Sequence, residues 1–133
     1  MAFVYVRPLS GGEWLPLPYP SMDSGLQQIS TIVDSARSAD GVVRGVKVGR
    51  DQSKVNLTWP KLSCEEWSTI LSFFNDNFMF QLRYMDMVTN DWKVRKCYVG
   101  DREGQPLLID PNTNKPRWYL NCKANVIDTG EGD

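Results

Sequence analysis

The stretch Lys54–Phe74, KVNLTWPKLSCEEWSTILSFF, holds the two signals that decide the fold. In its first half Val55, Leu57 and Trp59 alternate with Lys54, Asn56 and Thr58. A period of two is that of a strand with one buried face, and Pro60 is expected to end it. Ser63 and Glu66 then stand at the spacing of a capping box, in which a serine oxygen and a glutamate side chain satisfy backbone donors at a helix start. The helix is expected from Cys64 to about Asn75. Trp67, Ile70, Leu71 and Phe74 fall at i, i+3, i+4 and i+7, one apolar stripe that has to lie against a sheet.

Downstream, Phe78, Phe80, Leu82 and Tyr84 alternate with Met79, Gln81, Arg83 and Met85, a second half-buried strand. Thr89, Asn90 and Asp91 form a turn, and Trp92–Gly100 reads as the returning hairpin strand. Asp101–Pro116, with Gly104, Pro106, Pro111 and Asn112, reads as turn-rich. Arg117–Asp128 is the last strand, with Trp118, Leu120, Cys122, Ala124 and Val126 on one face, and the acidic residues 129–133 are expected to fray.

Upstream, a short apolar run, Phe3–Val6, precedes Pro8–Gly25, whose Pro8, Pro16, Pro18 and Pro20 make it an extended arm or an ordinary surface loop. Leu26–Asp34 carries Ile29, Thr31, Ile32 and Val33 and reads as a strand, with a helix as the alternative. Ser35–Gly41 interrupts it, and Val42–Arg50 reads as a strand bent at a glycine. Six or seven strands with one inserted helix and no repeats give a single domain over residues 1–133. The class is α+β, mainly β: a β-sandwich or split barrel with one flanking α-helix.

Composition narrows the function. With 133 residues, one core is expected. The absence of His removes Ser-His-Asp and Cys-His catalysis and His-based zinc sites. Cys64, Cys97 and Cys122 are widely spaced, form no C-x-x-C pair and read as buried free thiols in a reducing cytoplasm. Residues 1–8 lack the apolar run of a signal peptide, and no window reaches the length of a membrane span. The chain is therefore expected to be soluble, made in the cytoplasm and free of membrane contact. Gly41, Gly45 and Gly49 lack a phosphate-loop pattern and read as strand kinks. Glu65 and Glu66 suit the positive end of a helix, and Asp86, Asp91, Asp101 and Asp110 lack calcium-loop spacing and suit turns. No cofactor or metal is implied, and no catalytic set is found.

Charge is the remaining signal. The net charge of −1 offers no global positive field for nucleic acid, and no sequence-specific nucleic-acid partner is expected. Yet Ser35–Lys61 carries six positive against two negative charges, Leu62–Asp91 one against five, and Trp92–Ile127 seven against three. These blocks of +4, −4 and +4 fit either strands that pair within one monomer or complementary faces that stack copies of the domain in a ring.

Taken in order, the Pro-rich entry (Pro16, Pro18, Pro20), "SARSADG" with Arg37 and Gly41, the basic "VVRGVKVGR", the Lys54–Phe74 stretch and the closing "RWYLNCKANVID" resemble the small tail proteins of siphophages of Gram-positive bacteria, the superfamily of distal tail (tube-initiating) and tail tube proteins. The extra C-terminal domain of the longer distal tail proteins is not expected in this chain. The resemblance implies a structural virion component that closes into a ring, usually a hexamer, around the tail channel, with other tail proteins as neighbours. It makes the Pro-rich arm and the Ser35–Arg50 region, with Arg37, Arg44, Lys47 and Arg50, the parts that reach a neighbouring subunit. The competing reading is a monomeric small β-barrel that binds a ligand or single-stranded nucleic acid through Tyr84, Trp92, Tyr98 and Trp118. An enzyme comes third, because no nucleophile or carboxylate here has a partner.

Overall fold

A computed structural model describes residues 2–20, 25–37, 41–47 and 49–131. Alternation and capping build it much as the sequence implies. The strands are β1 (Tyr5–Pro8), β2 (Leu15–Pro16), β3 (Gly25–Ser30), β4 (Val33–Arg37), β5 (Val43–Lys47) and β6 (Gln52–Ser63); the helix α1 (Cys64–Asp76) follows, then β7 (Met79–Asp86), β8 (Asp91–Asp110) and β9 (Lys115–Asp128). Seven strands form one antiparallel sheet in the order β2-β1-β7-β8-β9-β6-β3, while β4 and β5 pair only with each other as a separate ribbon. The fold is α+β and mainly β, an antiparallel sheet curled into a half-barrel with one helix across its inner face.

The helix begins where expected because its cap is complete. The Glu66 backbone N–H donates to Ser63 Oγ at 3.1 Å, and the Ser63 backbone N–H donates to Glu66 Oε1 at 3.2 Å. It carries the chain from β6 over β9 and β8 to β7, burying Trp67, Ile70 and Phe74 with Leu71 half-buried. Trp67 meets Trp59 edge-on at 6.0 Å, and Phe74 packs on Phe80 at 5.3 Å between ring centres. Gly104 on β8 provides the seat for Trp67: a Cβ there would stand 2.7 Å from the indole nitrogen. The remaining core comes from the inward positions of each strand, Val4 and Val6, Val55, Leu57 and Trp59, Phe80, Leu82 and Tyr84, Cys97 and Val99, and Cys122, Ala124 and Val126.

Several boundaries differ from the sequence reading, each for a tertiary reason. Pro60 does not end β6, which runs on to Ser63. β3 stops opposite Leu57, so Pro60 has a neighbour on one side only, and across from it the ladder breaks at Asn121, whose φ is 52°. A missing N–H is tolerated there. Asp101–Pro116 is not mainly a loop. β8 continues to Asp110 through two bulges, between Val99 and Arg102 and between Glu103 and Gln105, and only residues 111–114 turn. Leu26–Asp34 divides into β3 and the start of β4, and Ser35–Arg37 belongs to β4 rather than to an interruption. Phe78 lies outside β7 and is exposed.

The Pro-rich segment is docked on the domain as far as residue 20. Leu15 and Pro16 pair with Val6 and Tyr5, Leu17 is buried, and the Pro18 carbonyl accepts the Trp59 indole N–H at 2.9 Å. Residues 21–24, which complete the expected arm, lie outside the described residues. The C-terminus is tied down to Glu131, since the Thr129 N–H donates to the Lys96 carbonyl at 3.1 Å and the Glu131 carbonyl accepts from Arg50 at 2.6 Å.

Candidate assembly surface

Two pieces of the chain extend from the core. The first is the β4–β5 ribbon, whose substantial packing is between its own strands. Val33 is 51 % and Val46 69 % exposed. An isolated two-stranded ribbon is marginal in water, so such exposed apolar side chains call for a covering surface. The second is the far half of the β8–β9 hairpin. Its tip is held by Asp110, which accepts the Asn112 N–H at 2.9 Å and the Arg117 guanidinium at 2.9 and 3.1 Å. These bonds hold the Asp110 carboxyl below its usual range. Just before the tip Leu108 is 82 % exposed at φ 46°, beside the exposed Ile109.

The four basic residues singled out from sequence fare differently. Arg37 and Arg44 lie on the ribbon, where Arg44 stands opposite Ala36 and Arg37 opposite Val43; their side chains are outside the described residues. Lys47 ends the ribbon and pairs with Asp51 at 3.1 Å, which also accepts the Thr31 hydroxyl at 2.6 Å. Arg50 turns inward. Its guanidinium donates to both oxygens of the buried Asp128, at 2.6 and 2.7 Å, and thereby locks the root of the ribbon to the end of β9. Burial pushes the Asp128 carboxyl up, but the bonds from Arg50, Gly130 and Ser53 outweigh it and hold the group below the usual carboxylate range. Arg50 thus positions the ribbon.

Of the four core-helix residues, Trp67, Ile70 and Phe74 are buried under the helix and Leu71 is half-buried at its edge, where an open groove runs toward the hairpin. Leu71, Pro116 and Tyr119 line it, with Glu65 and Asp76 on the helix wall and Arg102 and Lys115 on the other. At its edge the Cys64 thiol is pushed up by desolvation and by Glu65, which keeps it protonated. Of the aromatics in the ligand-binding reading, Tyr84 is buried, its hydroxyl donating to Ser53 Oγ at 3.0 Å. Trp118 lies on the hairpin under the Lys61 ammonium, 4.3 Å away.

Trp92 and Tyr98 belong instead to the outer face of the sheet, opposite the helix, and this surface was missed in the sequence. The outward positions alternate with the core residues and comprise Tyr5 and Arg7 on β1, Gln81, Arg83 and Met85 on β7, Trp92, Val94, Lys96 and Tyr98 on β8, Lys123, Asn125 and Ile127 on β9, and Lys54, Asn56 and Thr58 on β6. Arg83 lies over the rings of Trp92, at 4.9 Å, and Tyr5, at 5.4 Å; Arg7 covers Trp14 at 4.2 Å. The signal that could have revealed the face is the charge of the outward positions in each alternating strand.

No family model matches the chain. No curated protein matches it. Among solved structures, the chain is similar in fold to the tail of an empty GTA particle obtained by helical refinement with C6 symmetry, with a TM-score of 0.57 and 8 % identity over 98 % of this chain and 92 % of that one.

Proposed function

We propose that this chain is a structural, non-catalytic component of a phage or prophage tail, and that copies of it close into a ring around the tail axis. The observation that carries the reading is the fold likeness over nearly the whole chain to the C6-symmetric tail of a GTA particle. We take the ring to be a hexamer in the tail tube or at its junction with the baseplate, in a siphophage of Gram-positive bacteria, made in the host cytoplasm and contacting other tail proteins but no membrane. The β4–β5 ribbon supplies a contact between subunits. It carries exposed Val33 and Val46, and the Arg50–Asp128 clamp fixes its root. A heterologous contact of this kind closes when the rotation it imposes divides a full turn.

Electron microscopy of particles formed when the chain is produced with its neighbouring tail proteins tests this. The expected result is a symmetric ring or tube, lost on Val46→Asp while the isolated variant keeps its circular dichroism and melting temperature. A single asymmetric copy per particle, or failure to enter the particle, overturns the reading.

A further inference from the structure

The near-zero net charge of the chain conceals a segregation that appears once the strands are paired. The outer face of the sheet carries Arg7, Arg83, Lys96, Lys123 and Lys54, one cation from each of five successive strands, β1, β7, β8, β9 and β6. With strands about 4.8 Å apart, these cations extend about 19 Å across the strands. Two carboxylates touch the margin: Glu131 pairs with Lys96 at 3.0 Å, and Glu103 stands across the ladder from Lys123. Among the described residues, Arg7, Arg83, Lys54 and Lys123 form no ion pair. On the opposite side of the domain α1 exposes Glu65, Glu66 and Asp76 and contains no Lys or Arg, with Arg102 and Lys115 facing it across the groove.

Like charges gathered on one face repel one another, and an anionic partner relieves that repulsion. The chemistry between the cations narrows the partner. Tyr5, Trp92 and Tyr98 are half-exposed among them, with Arg83 stacked on two of the rings and the amides Gln81, Asn56 and Asn125 nearby. Cations that track a backbone, interleaved with aromatic rings on which bases stack, make up a surface for single-stranded nucleic acid read without sequence preference. A site for carboxylates alone needs only the cations. We infer that the open face of the sheet binds single-stranded nucleic acid through its phosphates and base faces. The inference goes beyond the tail assignment and stands or falls separately from it.

The test is fluorescence anisotropy of the full chain with a labelled oligothymidylate. Four unpaired cations imply a salt slope of about −2.8, so affinity should fall roughly 50-fold between 50 and 200 mM salt. Lys54→Gln with Lys123→Gln removes two cations that form no ion pair among the described residues and should reduce the slope by about 1.4, with the melting temperature unchanged. Lys115→Gln, on the hairpin, should leave binding as it was. Arg83→Gln should weaken binding further, although it also unstacks Tyr5 and Trp92. Absence of binding at about 50 mM salt, where phosphate contacts are strongest, overturns the inference. So does equal loss with Lys115→Gln, tighter binding of a duplex, or equal binding of poly-glutamate, which would mark the face as a site for an acidic protein.

Discussion

Removing the Trp67 side chain should expose how the helix is held on the sheet. The residue is 3 % exposed, meets Trp59 edge-on and lies across the Gly104 backbone. A buried Trp removes about 200 Å² from water, worth about 5 kcal/mol at 25 cal/mol per Å². Alanine keeps part of that area and the surroundings relax in part, so Trp67→Ala should cost about 3 to 5 kcal/mol. Gly104→Ala makes the opposite error. Its new Cβ would stand 2.7 Å from the Trp67 indole nitrogen and 3.3 Å from a ring carbon, so the indole has to shift, at about 1 to 3 kcal/mol. If that clash is the whole effect, Gly104→Ala costs almost nothing once Trp67 is alanine, and urea melts of the four proteins should show strong non-additivity. Equal costs of Gly104→Ala in both backgrounds would refute the seat, and a loss below about 1 kcal/mol for Trp67→Ala would refute the helix face.

Two further outcomes test the interior. Cys64, Cys97 and Cys122 are free, and burial raises the Cys97 thiol to about 12, so a thiol reagent should titrate all three without reductant after unfolding and Cys97 only slowly before it; a count of one would reveal a disulfide. Asp128 has a native pKa below its unfolded value, so its stabilisation is complete above the ordinary carboxylate pKa of about 3.9 and is lost as pH falls through the lower native value. Asp128→Asn should therefore destabilise at neutral pH, by about 3 kcal/mol or more because Arg50 loses its buried partner, and should lose less stability on acidification than the parent; parallel pH profiles would contradict the clamp.

The elements legible in the sequence are those whose cause is local. Ser63 and Glu66 announced the helix start because a capping box is closed within four residues, and Trp67, Ile70 and Phe74 announced its buried face because 3.6 residues make a turn. The alternation in β6, β7 and the Cys122–Val126 part of β9 likewise named most of the core, since each strand has one dry side, whereas beyond Asn121, at φ 52°, the pattern shifts and Tyr119 rather than Trp118 packs on the core. What only the tertiary structure decided depends on a partner distant in the chain. Residues 101–110 carry no clean alternation, being exposed on both faces for most of their length, and are a strand because β9 supplies their hydrogen bonds. Arg50 looks like any surface arginine until Asp128, 78 residues away, is brought against it. The charge blocks told a similar half-truth. A period of two tells which residues of one strand share a side, but pairing five strands in register gathers Arg7, Arg83, Lys96, Lys123 and Lys54 on a single face while the helix carries the acids to the other.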